Sequence, residues 1–404
     1  MGHQTHSRRW APGVIIVVLL AVAGVLVRAD ENEEGGGLKD RTIDWSRAGV
    51  WVKGIKGIPD YSQRVICAPP AYAVYPDQET DSGAGIQAAI SACPAGSAVL
   101  LPKGTYRVGR RISLKSGVAL RGAGPGLTTV LLTAKEAGFV AASPNRNLNA
   151  LITDPGPGPD ANNVSGPIIS GHEKGSATII VSAELAANLA EGNLVLLNEH
   201  NDPDFVTTKG YGGVCNWAGG SGQRALGEVK MVASKSGASI TFTGPLHHGY
   251  RKELGPKLIR ISSAGPVARN AGLEDLTIDG NAIAAVCVEF LTAAYCWVKR
   301  VEFKNWFSHS VRLNWGALGC EVAHCYFHDP AGFAGNQGYG VAITGNATDN
   351  LIYDSIFKWV HVGVSIGSAG GTANVVAYNY CHSTSHRQPH WPLPGFATHG
   401  GHTL

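Results

Sequence analysis

Cations, imidazoles, carboxylates and tyrosines recur at near-constant spacing over the last third of the chain. Lys304, His328, Lys358 and His382 follow one another at intervals of 24, 30 and 24 residues, with Arg300 four residues before the first. His324, Tyr326, Asp354 and Tyr378 recur in the same frame. This mixture suits an acidic sugar polymer. β-Elimination on a uronic acid needs a cation to neutralise the carboxylate, a base for the C5 proton and an acid for the leaving oxygen. Arg300, Lys304 and Lys358 are candidates for the first role. His328, His382 or a lysine of lowered pKa would serve the second, and a Tyr or His the third. Hydrolysis would instead use two carboxylates at a set separation, and Asp354 with Asp275, Glu302 or Asp329 are the candidates. Exposed strand faces are polar in any case, so the same residues also read as a solubilising ladder.

The element that must position these residues is a repeat. Leu273-x-x-Leu276-x-Ile278 returns as Val298-x-x-Val301-x-Phe303, Val322-x-x-Cys325-x-Phe327, Ile352-x-x-Ser355-x-Phe357 and Val376-x-x-Asn379-x-Cys381. The starts are 25, 24, 30 and 24 residues apart. A second alternating pair follows each of the first four: Val286/Val288, Val311/Leu313, Val341/Ile343 and Val364/Ile366. Short strands at a period in the twenties describe a solenoid with one coil per repeat. The leucine-rich frame of the other solenoid of this length is missing, so the fold expected is all-β, a right-handed parallel β-helix. If Val301 and Phe303 point inward, then Arg300, Glu302 and Lys304 point outward. The same registration gives three columns about 4.8 Å apart from coil to coil. They are Asp275, Arg300, His324, Asp354, Tyr378; then Thr277, Glu302, Tyr326, Ile356, Tyr380; then Asp279, Lys304, His328, Lys358, His382. The expectation is a flat polar array, with His324, Asp354, Tyr326 and Tyr378 as substrate contacts.

The N-terminus reads as an export signal. Arg8 and Arg9 precede the apolar run Val14 to Val27, and Val27-Arg28-Ala29 fits a small-x-small cleavage site. Cleavage near Ala29 would release the body to a secreted, periplasmic or cell-surface location. An uncleaved segment would tether it to the membrane instead. Removal of residues 1–29 takes three of the 33 basic residues and leaves them balanced with the 30 acidic ones. No basic excess remains to mark a nucleic-acid partner. Export permits disulfides, and among the eight Cys the pair to test first is Cys67–Cys93. Cys325 and Cys381 fall at inward repeat positions, as small buried hydrophobes.

Before the repeats, Ile86, Ala89 and Ile90 share one face of a short helix that would cap the open end of the solenoid. Val99-x-x-Pro102-x-Gly104-x-Tyr106 and Ser116-Gly117-Val118-x-Leu120-x-Gly122-x-Gly124 follow as strands and turns. Together these residues resemble the N-terminal part of the pectate-lyase-like superfamily, in the branch of rhamnogalacturonase-type and tailspike-type β-helices. The likeness is close over residues ~78–132 and looser from ~268 onward. One departure is Asp81-Ser82-Gly83, where the family usually has Asp-Asp-Thr. The resemblance implies the fold and a sugar polymer as partner. Its members include lyases, hydrolases, epimerases and non-catalytic binders, so it leaves the reaction open. It also makes Ca²⁺ a cofactor to test.

The organisation expected is a signal peptide over 1–29, an extension lying against the first coils over 30–77, and a cap with first coils over 78–134. An inserted, small β-barrel-like region follows over 135–260, then coils over 261–404. The insert rests on strand-like runs such as Glu191 to Leu197, Glu228 to Val232 and Ser239 to Phe242. Near the end, His382, His386, His390, His399 and His402 cluster with Arg387. That cluster could ligate a metal, or His386 and Arg387 could contact sugar from a loop. The chain ends on Thr403-Leu404 without a closing coil, so further coils are expected beyond it. The reading is an exported protein that cleaves an acidic polysaccharide by β-elimination. A glycoside hydrolase and a non-catalytic glycan-binding β-helix are the alternatives.

Overall fold

The computed structural model describes residues 44–68, 71–143, 164–202, 224, 226–261, 267–367, 371–382 and the backbone of Phe396–Thr398. Among them no helix is long and apolar enough to cross a membrane. The signal segment, His386 and Arg387 lie outside the described residues.

The repeat folds as a right-handed parallel β-helix of two large sheets and a third, short ladder through Ala268–Arg269, Ala293–Ala294, Leu318, Ala347–Thr348 and Gly371–Thr372. The first two copies of the pattern supply the single strands Gly272–Asp279 and Trp297–Lys304 to a large sheet, and each later copy supplies two short segments, for instance Glu321–Ala323 and Tyr326–His328. The second alternating pair supplies a strand to a seven-stranded sheet. That sheet runs from Arg111–Ser113 through Gly138–Ala142, Val286–Leu291, His309–Asn314 and Tyr339–Thr344 to Val362–Gly367 and Phe396–Thr398. Every pairing within it is parallel and in register.

The x-x gap in the pattern has a physical cause. In a straight strand, residues three apart face opposite sides. Here Val298 and Val301 are both fully buried. Arg300 between them has φ 51°, and its equivalents Asp275, His324, Asp354 and Tyr378 have φ of 56°, 55°, 47° and 57°. One left-handed residue turns the chain and returns the next side chain to the core. The first expected column is therefore a corner, within a long strand at Asp275 and Arg300 and between short ones at His324, Asp354 and Tyr378, while the second and third columns lie on strands throughout.

The core is a set of stacks along the helix axis. Phe303, Phe327 and Phe357 lie with ring centroids 5.0 and 4.6 Å apart and planes tilted by 4°. Polar residues at inward corner positions close the backbone. Ser355 Oγ accepts from Cys325 N at 3.1 Å, and Asn379 Oδ1 accepts from Ser355 N at 3.0 Å. Asn350 and Asn374 repeat the arrangement one turn away.

The helix Gly83–Ala92 buries Ile86, Ala89 and Ile90 in this core. It lies beside Arg111–Ser113, the first strand of the seven-stranded sheet. Gln87 offers that strand a carboxamide in place of a neighbouring strand: Nε2 donates to Ser113 O at 3.0 Å and Oε1 accepts from Ser113 N at 2.7 Å. Gly85 is required, because a Cβ there would meet Tyr72 O at 1.8 Å. Cys67 and Cys93 hold free thiols in the same cluster. Burial, and then the Cys93 charge, push Cys67 to about 12. The expected disulfide is thus replaced by two buried thiols.

Six antiparallel strands between Ser165 and Arg260 form the insert. Ser165–Pro167 pairs with Lys257–Arg260, and Ser170 just beyond bridges to Ile180 on the last strand of the sheet. The sheet therefore closes on itself around Ile179, Val195, Leu197, Ile240, Phe242 and Leu258. Gly138–Ala142, expected in the insert, pairs instead with coil strands on both sides. The chain leaves the coils only after it and returns at Ala268–Arg269. Upstream, Val50 and Tyr61 pack on Trp297 outside the core, whereas Ser62–Ile66 joins the large sheet as its end strand and Cys67 and Val74 enter the core, so the extension expected over 30–77 is in part a coil.

Because the stack carries the coil-to-coil packing, Phe327→Ala should cost about 3–5 kcal/mol. Ile356→Ala, on the outer face of the next coil, should cost under ~1 kcal/mol. Urea midpoints of both variants check this. Equal losses would show that the stack is not the packing element.

Candidate functional site

The second and third columns stand in register. Thr277, Glu302, Tyr326, Ile356 and Tyr380 pair in sequence, as do Asp279, Lys304, His328, Lys358 and His382. The side chains, however, are already matched to one another. Arg300 binds Asp275 through both Nε (2.5 Å) and Nη2 (2.7 Å). Lys304 Nζ lies 3.5 Å from Asp279. His324 Nδ1 lies 2.8 Å from Asp354 Oδ2. His328 sits between two carboxylates, with Nε2 3.1 Å from Glu302 and Nδ1 2.8 Å from Asp329. Thr277 Oγ1 donates to Glu302 at 2.6 Å, and the Tyr326 ring stacks on His328 at 4.3 Å. Lys358 is exposed with no carboxylate partner among the described residues. Tyr378 is 91% exposed and Tyr380 62% exposed. His382 lies beside Tyr380 at 6.1 Å. The array is thus a largely self-neutralised ladder ending in two open tyrosines. A uronate would have to displace Asp275 or Asp279 to reach Arg300 or Lys304.

The seven-stranded sheet carries a second polar face. Its strands bend near their starts, where Cys287 lies in the core and a Cβ on Gly340 would meet Phe357. The bend leaves His309 and Arg312 outside the core. Glu289, paired in register with Arg312, accepts from Arg111 at 3.1 Å and from Asn314 Nδ2 at 2.9 Å. Arg312 Nη1 lies 3.6 Å from Glu289, and its Nε is buried with no partner among the described residues. Ser308 Oγ donates to Asn336 O at 2.5 Å, so it must accept from His309 Nδ1 at 2.8 Å. A hydroxyl has one proton to give. This accounting places the imidazole proton on Nδ1 and leaves the Nε2 lone pair open. Burial, and then the Arg312 charge, push His309 down to about 3. The Tyr339 ring meets it edge-on at 5.2 Å, and His361 lies 5.7 Å beyond. Burial raises the Tyr339 phenol, which keeps its proton. A neutral imidazole, a guanidinium and a phenol therefore share one face.

The sequence analysis did not single out His309, Arg312, Tyr339 or His361. The signal was present: Val311 and Leu313 mark an inward strand, so Arg312 between them faces out. His309 was hidden by the bend, because a straight strand would turn it inward with Val311. Among the described residues no three His, Cys, Asp or Glu side chains are arranged to hold a metal ion. The remaining histidines of the C-terminal cluster lie outside them.

Residues 71–164 match the family model described as rhamnogalacturonase A/epimerase, pectate lyase-like. The likeness is confined to the first coils of this chain and the residues just after them. No curated protein matches the sequence. Among solved structures, the gp49 tailspike of Pseudomonas phage LKA1 is similar at 15% identity and a TM-score of 0.49, over 80% of this chain and 56% of that one. The gp61 tailspike of Pseudomonas phage phi297 is similar at 14% identity and 0.46, over 75% and 42%. A polygalacturonase from Erwinia carotovora is similar at 13% identity and 0.41, over 85% and 69%. The chain spans about half the length of the two tailspikes.

The His309 environment has a pH signature. The folded ring resists protonation and the unfolded ring does not, so below pH ~6.5 the unfolded chain binds the extra proton. This contribution is flat above pH ~6.5 and erodes stability as pH falls toward 3, by up to ~1.4 kcal/mol per pH unit. His309→Gln should remove that part of the slope. Urea midpoints at pH 7 and pH 4.5 for both proteins test it, and identical slopes would show a solvated ring.

Proposed function

We propose that the chain is an exported protein that cleaves a uronate-containing polysaccharide by β-elimination on the outer face of the seven-stranded sheet. The observation that carries this reading is the neutral His309, open at Nε2, beside the incompletely matched Arg312. Arg312 would pair with the substrate carboxylate, which acidifies the C5 proton. His309 Nε2 would accept that proton, the C4–O4 bond would break as the C4=C5 double bond forms, and Tyr339 would donate to the departing oxygen. A ring with so low a resting pKa is a weak base, but pairing Arg312 with a carboxylate cancels one of the two causes of the depression. Hydrolysis fits less well. It needs two carboxylates free to face the sugar, and Glu289 is already bound by Arg111 and Asn314. The pectate lyase-like N-terminal coils support a sugar polymer as the partner class. Export rests on the Val14–Val27 run and its small-x-small boundary.

A binding role for the ladder face has its own support in the exposed Tyr378 and Tyr380, which offer stacking surfaces next to Lys358. On this reading the polymer lies along the ladder while the chemistry occurs on the other sheet.

Purified protein incubated with polygalacturonate, alginate and glucuronan should raise the ultraviolet absorbance of an unsaturated uronide on one of them. His309→Ala should lower that rate by about 10²–10⁴-fold. His328→Ala should leave it within a few fold, because both nitrogens of His328 already face carboxylates. The reverse ranking would move the chemistry to the ladder. New reducing ends without absorbance would replace elimination by hydrolysis.

A further inference from the structure

A groove of about 860 Å³ lies where the N-terminal segment, the barrel and the coil turns meet. It belongs to neither face described above. Arg47, Trp51, Lys53, Asn193, Arg269 and Tyr295 line it. Its volume falls within the ~300–1,000 Å³ typical of small-ligand sites. Two of its cations are unmatched, because no carboxylate pairs with Lys53 or Arg269 among the described residues. The third, Arg47, is fixed by donating to Thr243 O at 2.6 Å and by lying 5.6 Å over the Trp51 ring. Trp51 is itself anchored, since its Nε1 donates to Arg47 O at 3.1 Å.

The inner end of the groove is also polar. Lys230 and Asp349 line a smaller pocket that shares Arg47, Trp51, Thr243 and Tyr295 with the groove. The Lys230 side chain is 2% exposed. Its Nζ lies 2.9 Å from Glu228 Oε2 and has no other polar partner among the described residues. An ammonium has three protons to give, so this buried cation keeps donor capacity toward the pocket.

Unmatched cations beside fixed aromatic rings recognise a sugar that carries negative charge. Carboxylates pair with the Lys and Arg heads, and the apolar face of a pyranose packs on an indole or phenol ring. Among the described residues, the sole acidic side chain lining the groove is Glu191, against three cations. We propose that this groove is a second saccharide site, which holds an acidic oligosaccharide away from the cleaving face. It rests on the reading above for the uronate class of the ligand, but not for the reaction or its location.

The test is isothermal titration of the full chain, carrying His309→Gln so that the probe persists, with hexamers of galacturonate, glucuronate and mannuronate. Maltohexaose is the neutral control. At least one acidic hexamer should bind and maltohexaose should not. The double variant Lys53→Ala/Arg269→Ala should weaken that binding at least tenfold, or remove one of two binding sites. Both side chains are exposed, so the fold should survive, and an unchanged circular dichroism melt checks this. Trp51→Phe should retain binding and Trp51→Ala should lose it, which separates stacking from charge. Absence of binding by every acidic hexamer overturns the proposal, as does binding that the double variant leaves unchanged. Cleavage by the native chain with no groove-dependent binding would remove this site and leave the function standing. Groove-dependent binding without cleavage of any uronate polymer would do the reverse.

Discussion

The structure depends on one constraint: each coil must meet the next in register, with the same residue turning the same corner. The left-handed residue sets that corner. Asp275, Arg300, His324, Asp354 and Tyr378 all adopt φ near 50°. A left-handed conformation costs about 1–2 kcal/mol for a residue with a Cβ, and none of the five is glycine. The cost is shared out by what the corner permits. It brings three inward side chains from a six-residue motif, and it stacks Phe303, Phe327 and Phe357 with adjacent rings 5.0 and 4.6 Å apart. It also aligns Cys325, Ser355 and Asn379 so that each inward polar side chain serves its neighbour's backbone. Slipping one coil by a residue would break all three at once.

The barrel is joined to this frame by polar contacts that are themselves buried. Thr348 Oγ1 accepts from Val229 N at 2.9 Å, and Thr372 Oγ1 donates to Gly227 O at 2.9 Å. His247 Nε2 lies 2.7 Å from Asp349. Behind them, Glu228 is fully buried and accepts from His247 N at 2.9 Å and Tyr250 OH at 3.1 Å. Burial pushes the Glu228 carboxyl up, but Lys230, His247 and His248 together outweigh it and hold it below its usual range. Removing one partner of such a group strands a buried charge, at about 3–5 kcal/mol. The joint therefore resists sliding.

How much of this was legible depended on whether backbone geometry followed a regular period. The motif from Val298 to Phe303 fixed the inward positions, and the pairing Lys304–His328–Lys358–His382 follows from it without further information. The corner is invisible to that reasoning, because a left-handed residue leaves no pattern beyond the odd x-x gap. Asp275 and Asp354 are types that tolerate the conformation, whereas Arg300 and Tyr378 give no such hint. Gly138–Ala142 was misplaced for a different reason. It is buried along nearly its whole length, so it shows no alternation, and its membership in the coils is decided by pairing with Arg111–Ser113 on one side and the distant Val286–Leu291 on the other. His309 was lost to the bend beside it. The closure of the barrel through Ser170 and Ile180 is likewise a matter of contact alone.

The distribution of matched and unmatched charge ties these levels together. A strand face on a solenoid repeats its neighbours at under 5 Å, so like charges in one column repel and opposite charges pair almost automatically. The ladder satisfies this through Asp275 with Arg300 and Asp279 with Lys304, and in doing so it spends its charge on itself. Lys358 escapes this pairing within a column, and the other incompletely matched cations lie off the ladder. Arg312 has Ala342 and Ser365 as its neighbours in later coils. Lys53 and Arg269 lie where the extension and the barrel depart from the coils. Sites for an acidic polymer should therefore be sought where a cation lacks a carboxylate on the neighbouring coil, since most of the ladder supplies one.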